Sequence, residues 1–239
     1  MYVDGYNLYY GGRSLCGRGT AGWRWLDIRA LATTLVGERK NWANGTIERV
    51  VYCTARVDAS DNPSGHSDQD IYLRALDAAG SVDHVEYGYY VSRVKPMPLA
   101  KRDAHGRPSL ISPQWPVMIQ DGSGGSVTDA RFMVSVAHRE EKGSDVNVAS
   151  HLLADVLLGT VDAALVISND SDLQFPIRQV RLRVPVGTVN PSAHQTAGAL
   201  RDAPGNGAGR HFWRKLRADD FTRHQLPDPA SGYRLPHGW

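Results

Sequence analysis

Short apolar segments alternate with amphipathic segments along most of this chain. The apolar segments are MYVD (1–4), ERVVYCTA (48–55), DAALVIS (162–168) and VPVGTV (184–189), and the segment VDHVEYGYYVSRV (82–94) alternates between polar and apolar residues. Their β-branched and aromatic residues predict strands, and the continuous apolar run at 162–168 is typical of a central parallel strand. Because helical segments separate these strands, the chain is predicted to fold as an α/β protein with a doubly wound, mainly parallel sheet.

The amphipathic segments predict three helices, at 26–37, 69–80 and 145–159. Their apolar residues recur at helical spacing, and each segment ends at a glycine. The helix at 145–159 has the strongest signal, with Ser144 expected as its N-cap and Asp145 in its first turn. Weaker signals predict a helix or a loop at 7–12, a loop at 61–68, a short helix at 172–181, a linker at 204–209, a short helix at 211–221 and an extended surface segment at 225–239.

The regular pattern breaks between Lys95 and Asp129. Five prolines and the DGSGGS stretch in this region exclude a long helix. The segments at 115–119 and 131–137 flank that stretch and predict a hairpin, in a region that is too short to build its own core. The predicted organisation is one domain over 1–190, an inserted hairpin-like region at about 92–138 and an irregular C-terminal extension at 191–239 packed on the domain.

Composition limits the classes of protein. Apolar residues make up 41% of the 239 residues, which is enough for a substantial core, and the formal net charge is only +2. A nucleic-acid partner would therefore need a local basic patch. Two cysteines, Cys16 and Cys53, are too few for a disulfide framework or a zinc site, and Cys53 is expected as a buried thiol. No signal peptide is recognised and no apolar run approaches the ~20 residues of a membrane span, so we expect a cytoplasmic protein.

Four aspartates lie near predicted strand ends or at a helix start. Asp4 closes the first strand, and Asp170 and Asp172 follow the strand at 162–168. Asp145 begins the helix that leads into that strand. Because ligands bind outside the carboxyl ends of strands in open parallel sheets, we expect these acids to form one pocket.

Such a pocket needs neutralising charge. Two carboxylates about 5 Å apart repel each other by roughly 3 kcal/mol at an effective dielectric constant of 20, so protons or metal ions must offset the repulsion. Ligand sets made only of oxygen favour Mg²⁺ or Mn²⁺, which commonly serve phosphodiester chemistry. Taken singly, each acid would be read as a cap or a turn residue; it is their joint placement that indicates a site.

Two polar residues are expected beside these acids. Asn7 lies one turn after Asp4, where it could orient a phosphate or a water molecule. Ser168, at the end of its strand, could hydrogen-bond a carboxylate or a metal-bound water. By contrast, His151 and Asp155 stand four residues apart on the long helix and are expected to form a structural polar pair.

Two sequence blocks, VDGYNLYYG (3–11) and KGSDVNVASHLLADVLLGTVDAALVISNDSDL (142–173), resemble the NYN domains, relatives of the PIN-type nucleases. The resemblance spans roughly 1–189, and FWRKLRADDFTRHQLPDP…GW near the end is similar to the C-terminal extension of some bacterial members. It implies a PIN-like α/β/α sandwich with metal-dependent ribonuclease activity. The metal-binding acids of the family match Asp4, Asp145, Asp170 and Asp172, and its first-motif asparagine matches Asn7. Asn169 and Leu173 depart from the common pattern, but neither change removes an acid.

The resulting hypothesis is a ribonuclease that holds Mg²⁺ or Mn²⁺ with these four aspartates and cleaves RNA. Neighbouring arginine and aromatic residues favour single-stranded RNA as the substrate. The residues predicted to bind the substrate are Asn7, Ser168, Arg13 and Lys142. Further basic candidates are Arg18, Arg24, Arg93, Lys95, Lys101, Arg102, Arg107, Arg178, Arg181, Arg183, Arg214, Lys215 and Arg217. A homodimer and a regulatory protein partner stay open, and no membrane partner is expected.

Other functions fit the residues less well. A non-catalytic RNA-binding or protein-interaction module on the same fold stays open, although clustered negative charge near phosphate would not help such a module. A phosphatase of the Asp-based type needs a second acid two residues after Asp4, where this chain has Tyr6. A nucleotide-binding dehydrogenase is disfavoured because no G-x-G-x-x-G follows a strand.

Overall fold

Seven strands form the central sheet of the computed structural model, which describes residues 1–42, 44–201 and 204–239. The strands of the described residues are β1 (Tyr2–Asp4), β2 (Val51–Ala55), β3 (His84–Pro98), β4 (Ala100–Arg102), β5 (Pro108–Leu110), β6 (Met133–Lys142), β7 (Ala164–Ile167), β8 (Val186–Asn190) and β9 (Phe212–Lys215), and all except β4 and β5 belong to the central sheet. The helices are α1 (Gly5–Cys16), α2 (Ile28–Gly37), α3 (Pro63–Ala78), α4 (Ser144–Leu157), α5 (Gln174–Arg181) and α6 (Ala218–Arg223). Short 3₁₀ turns lie at Lys40–Trp42, Ser171–Leu173 and Gly198–Leu200.

The predicted α/β class with a mainly parallel sheet is confirmed. The strand order is β6-β3-β2-β1-β7-β8-β9, so β1 lies in the middle. It pairs in parallel with β2 on one side and β7 on the other, and the β2–β3, β7–β8 and β8–β9 pairs are also parallel. Val3 pairs with both Tyr52 and Ile167, so the carboxyl ends of three neighbouring strands lie at one edge.

The two faces of the sheet bury different helices because successive strand residues point to opposite sides. On one face Val3 packs in a cluster with Leu8 of α1 and residues of α2 and α3. On the other face Tyr2 packs in a cluster with Leu152 of α4 and Ile177 of α5. Helices on both faces of a parallel sheet make a three-layer α/β/α arrangement, in which the central strands β1, β2, β7 and β8 are buried on both sides.

Residues near the C-terminus belong to the first of these layers. Leu216, Phe221 and Leu226 are buried in the cluster that contains Val3. The Trp239 ring lies 6.4 Å from the Trp25 ring, measured between centroids, and forms part of the same aromatic group.

Two local predictions in this domain are wrong. The segment at 61–68 is not a loop throughout, because α3 begins at Pro63 and Asn62 caps it by accepting a hydrogen bond from the Gly65 amide. Proline is well suited to the first turn of a helix, where its missing N–H costs nothing. Ser144 is not the N-cap of α4: the cap is Gly143, in the left-handed region with φ 91°, and the Ser144 hydroxyl donates to Glu141 instead.

The helix predicted at 211–221 is also wrong in its first half. Phe212–Lys215 forms β9, which extends the sheet by pairing in parallel with β8, and only Ala218–Arg223 is helical. Phe212 lies opposite Gly187, and a Cβ at Gly187 would come within 2.4 Å of the Phe212 ring. The position of β9 therefore requires the Phe212 ring to lie close to the Gly187 backbone of β8. The local sequence pattern of 211–221 does not indicate this contact.

Residues Val91–Glu140 form a compact unit separate from the unit made of Met1–Tyr90 and Glu141–Trp239. Within the smaller unit, β4 and β5 pair antiparallel, with Lys101 opposite Ser109. Lys95 donates to Glu140 at 2.7 Å. The hairpin predicted between 115–119 and 131–137 is wrong, because β6 takes a place beside β3 in the sheet order while 114 and 117 form a local bridge.

Across the described part of the chain, no helix is both long enough and apolar enough to cross a membrane.

Candidate active site

Asp4 lies at the junction of β1 and α1, with its side chain only 3% exposed. It is the N-cap of α1, and its Oδ1 accepts a hydrogen bond from the Asn7 amide at 2.9 Å. Its Oδ2 accepts from Asn7 Nδ2 at 2.8 Å and from the Ser168 hydroxyl at 2.9 Å. Asn7 and Ser168, both predicted to bind substrate, therefore lie at the site and hold this carboxylate in place.

The turn after β7 is fixed by the same residues. The Ser168 hydroxyl accepts from the Asp170 amide at 3.0 Å, and Asn7 Oδ1 accepts from the Asn169 amide at 3.3 Å. Asp170 Oδ1 in turn accepts from the Asp172 amide at 3.0 Å, which starts the 3₁₀ turn at Ser171–Leu173. This local network brings the two acids of the turn to the carboxyl edge of the sheet.

Three of the four predicted acids gather at this edge. Asp145, in the first turn of α4, offers a carboxylate oxygen that lies within 4.8 Å of oxygens from Asp170 and Asp172. Asp145 and Asp170 are partly exposed and Asp172 is exposed, so the group faces solvent. Asp4 is not a member of this trio, but it interacts electrostatically with Asp170.

The charge of this site is visible in the pKa of Asp4. The pKa of Asp4 is raised from 3.8 to about 6, mainly by burial and also by the negative charges of Asp170 and Glu141. The hydrogen bonds from Asn7 and Ser168 act in the opposite direction. A group that titrates this far from its ordinary range, beside other carboxylates, marks a candidate functional site.

Glu141 is the acid that sequence reasoning missed. It stands at the end of β6, where its Oε1 accepts from the Ser144 hydroxyl at 2.5 Å. Its charge also acts on Tyr6 and Tyr90. The available signal was its position one residue before the KGSD motif that carries Asp145.

The raised pKa of Asp4 leads to a prediction for the metal-free protein. Asp4 binds its proton more tightly in the folded state, so its contribution to stability is present below about pH 4 and is lost as the pH rises through about 6. Compared with Asp4→Asn, the wild type should lose about 3 kcal/mol of unfolding free energy over this range. Urea denaturation in EDTA between pH 4 and 7 measures the difference, and identical pH slopes in the two proteins would contradict it.

A cavity of about 550 Å³ opens in the unit that contains α1. Gly5, which follows Asp4 directly, lines this aromatic cleft. Its aromatic lining residues are Tyr6, Tyr9, Tyr10, Trp23, Tyr52, Tyr72, Tyr90, Phe221 and Trp239. A volume of this size is within the range of pockets that bind small molecules or single bases.

One face of α1 supplies the exposed rings of the aromatic cleft. Tyr6, Tyr9 and Tyr10 recur at helical spacing and are 40%, 41% and 44% exposed. The Tyr6 and Tyr10 ring centroids are 4.5 Å apart, and the Arg13 guanidinium lies 5.7 Å from the Tyr10 centroid. This helix face therefore combines tyrosine rings in mutual contact with a cation.

Polar groups complete the lining. Arg24, with its guanidinium 4.9 Å from the Trp23 ring centroid, adds a second cation. Gln69 is committed to the backbone, because it accepts from the Val57 amide and donates to the Ala55 carbonyl. Asp68 also lines the aromatic cleft, and within residues 1–42, 44–201 and 204–239 its carboxylate has no hydrogen-bond or ion-pair partner.

Other residues singled out from the sequence take varied places. Lys142 is exposed at the end of β6. Arg181 is 3% exposed and donates to Thr188 and to the Leu200 carbonyl, while Arg214 pairs with Glu38 and Asp220, so both are structural.

The predicted pair of His151 and Asp155 is wrong, since each has partners elsewhere: Asp155 bonds Tyr2 and Arg49, and His151 bonds Glu86.

Comparison with known proteins gives one informative similarity. The chain is similar to 6-hydroxy-3-succinoylpyridine 3-monooxygenase HspA of Pseudomonas putida (strain DSM 28022 / S16), with 28% identity over 260 residues. The match covers 100% of this chain and 74% of that protein. No known family profile matches the chain, and no solved structure matches it.

Proposed function

We propose that this protein is a metal-dependent ribonuclease of the NYN type, on a PIN-like α/β/α fold, that hydrolyses phosphodiester bonds in single-stranded RNA in the cytoplasm. The observation that carries the proposal is the trio of Asp145, Asp170 and Asp172, whose carboxylate oxygens lie within 4.8 Å of one another. The buried Asp4 stands behind the same edge with a pKa raised by burial and by neighbouring charge.

The donor set fits the metals proposed for this chemistry. All three side chains of the trio offer carboxylate oxygens, which suit Mg²⁺ or Mn²⁺ better than softer ions. Asp145, Asp170 and Asp172 would hold the ion, with Asp4 bringing a fourth negative charge close by. When bound, a divalent ion supplies a water of lowered pKa and stabilises negative charge on a phosphate.

The residues of the chain contribute positioning and charge. Asn7 and Ser168 fix the Asp4 carboxylate, so its charge stays directed at the acidic edge rather than turning to solvent. The rings of α1 begin two residues after Asp4 and offer faces on which bases can stack. Arg13 and Arg24 offset the repulsion that an RNA strand would meet near the acids. In the proposed complex, a base close to the cleaved phosphate stacks on α1.

The aromatic cleft also offers a means of selecting bases. A carboxylate only accepts hydrogen bonds, so Asp68 can bond a base edge that carries N–H donors. Guanine presents two such donors on one edge. The proposal therefore includes a preference for a base with donors at this position.

The test of the function is cleavage of end-labelled single-stranded RNA by the purified full chain in Mg²⁺, in Mn²⁺ and in EDTA. Cleavage that requires the metal and stops in EDTA supports the proposal. If the folded protein binds the RNA tightly in the presence of either metal but leaves it intact, the ribonuclease proposal is wrong. That result would favour a non-catalytic RNA-binding module.

The aromatic face of α1 leads to a prediction about substrate affinity. Tyr10→Leu should raise KM for single-stranded RNA about 10-fold with little change in kcat, because one base–ring stack contributes ~1–3 kcal/mol. Tyr89→Leu is the matched control, since Tyr89 is 63% exposed and does not line the aromatic cleft. Equal KM values for the two variants would argue that no base stacks on α1.

Oxygenation of an aromatic ring is a second candidate function, favoured by the similarity to the P. putida monooxygenase. A monooxygenase places one atom of dioxygen in its substrate and reduces the other to water with two electrons. Incubation of this protein with 6-hydroxy-3-succinoylpyridine, dioxygen and a reduced nicotinamide, followed by mass spectrometry, tests the candidate. A hydroxylated product without any RNA cleavage would favour it over the ribonuclease.

A further inference from the structure

A second group of potential metal ligands lies outside the acidic site. His84 and Glu86 are two residues apart on β3, so their side chains leave the same face of the sheet, and His151 reaches them from α4. Glu86 Oε2 lies 2.9 Å from His84 Nε2 and 3.0 Å from His151 Nε2. The imidazole ring centroids are 5.2 Å apart. The three ligand atoms thus converge within 4.8 Å.

The position of this group is set by strand register. Cys53 pairs with Asp4 on one side and with Glu86 on the other, so Glu86 lies two strands from Asp4 at the same level. Adjacent strands are about 4.8 Å apart, which separates the two backbones by about 10 Å. Along α4, Asp145 and His151 are six residues apart, a rise of about 9 Å. The two groups therefore lie side by side along one helix.

The donors of the two groups differ in chemistry. The acidic site offers only oxygen, whereas this one offers two imidazole nitrogens and one carboxylate oxygen. Imidazole ligands suit Zn²⁺, Fe²⁺, Co²⁺ and Cu²⁺ rather than Mg²⁺. Two histidines with a carboxylate form the protein ligands of several catalytic zinc sites and of non-haem iron oxygenases.

The geometry needs little adjustment to receive an ion. Ligands about 2.0–2.1 Å from a tetrahedral zinc are about 3.3 Å from each other, a few tenths of an ångström more than the N···O distances observed. The side chains of His84, Glu86 and His151 are 42%, 38% and 22% exposed. Solvent therefore reaches the group, and an ion held there would keep coordination positions for water or for a substrate.

We infer that His84, Glu86 and His151 form a transition-metal site of the two-histidine, one-carboxylate type, separate from the acidic site. This inference does not depend on the ribonuclease proposal. It also names the place where a metal for the second candidate function would lie, because that ligand set is the one that non-haem iron oxygenases use.

Cobalt binding to the full chain tests the inference. The protein is stripped with EDTA, the chelator is removed, and Co²⁺ is titrated in a large excess of Mg²⁺, which occupies the acidic site. We expect one Co²⁺ per chain, with visible absorption bands from nitrogen and oxygen ligands. Binding should be at least about 100-fold weaker in Glu86→Gln and in His151→Gln, since even residues that only support metal ligands contribute 10–100-fold.

Matched variants decide between outcomes. His105→Ala removes an exposed histidine outside the group and should bind Co²⁺ like the wild type. Thermal unfolding without metal establishes that each variant is folded. Because the two substitutions affect different ligands, the test stays valid if one of the two variants does not fold. Wild-type affinity for Co²⁺ in both Glu86→Gln and His151→Gln, or loss of the bound Co²⁺ in Asp170→Asn alone, would overturn the inference.

Discussion

Asp170→Asn is expected to lower metal-dependent RNA cleavage by roughly 10²–10³-fold, the range found when one group that stabilises transition-state charge is removed. Asp170 shares the trio with Asp145 and Asp172 and adds charge beside Asp4. Asparagine keeps an oxygen that can accept the Asp172 amide, so the turn after β7 should keep its shape. The substitution therefore removes a negative ligand with little change in structure.

Asp162→Asn is the matched control for this substitution. Asp162 is exposed and lies just before β7, whereas Asp170 lies just after it, so the two residues flank opposite ends of one strand. Cleavage rates are compared at several Mn²⁺ concentrations, and circular dichroism monitors folding. Full activity in Asp170→Asn at low Mn²⁺ would exclude the acidic trio as the cleavage site and with it the proposed mechanism.

The sheet and the gathering of three of the four acids could be predicted because both follow from short-range pattern and one general rule. Apolar runs such as 162–168 form strands, parallel strands end at a common edge, and Asp4 and Asp170 stand at two such ends. Cys53 is fully buried, as its apolar surroundings predicted, and burial raises the pKa of its thiol to about 12.

The features that sequence did not predict depend on contacts between distant segments. β9 pairs with β8 in a register that sets Phe212 opposite Gly187, where a larger residue would meet the ring, whereas its own sequence predicted a helix. The aromatic cleft draws Tyr10, Tyr72 and Trp239 from three separate parts of the chain. No spacing rule joins such residues, so the cleft is visible only in the folded protein.

Contacts between distant segments also determine the partners of the polar residues His151 and Asp155. Their spacing of four on α4 predicted a pair, yet β3 presents Glu86 to His151 and β1 presents Tyr2 to Asp155. A hydrogen bond to a partner in the sheet stabilises the protein more than one to a neighbour on an exposed helix face. The reason is that a partly buried polar group left without a partner is costly. A separation of four residues on a helix thus indicates proximity and leaves the actual partner undecided.

Asp155→Ala is expected to lower the free energy of unfolding by about 2–4 kcal/mol, since it removes the acceptor of buried and charge-assisted hydrogen bonds. Asp155 is 8% exposed and accepts from the Tyr2 hydroxyl at 2.9 Å and from Arg49 Nη1 at 2.9 and 3.0 Å. Tyr2 is 1% exposed, so its hydroxyl would lose its partner without reaching water. Arg49 is partly exposed and can turn to solvent, which limits its share of the loss.

The double variant Tyr2→Phe/Asp155→Ala separates these contributions. Removing the hydroxyl together with its acceptor eliminates the unsatisfied group, so the double variant should be more stable than Asp155→Ala by about 1–2 kcal/mol. Urea denaturation at pH 7 measures all four members of the cycle. If Tyr2→Phe instead lowers stability by the same amount in both backgrounds, the Tyr2–Asp155 hydrogen bond does not couple β1 to α4, and the two residues act independently.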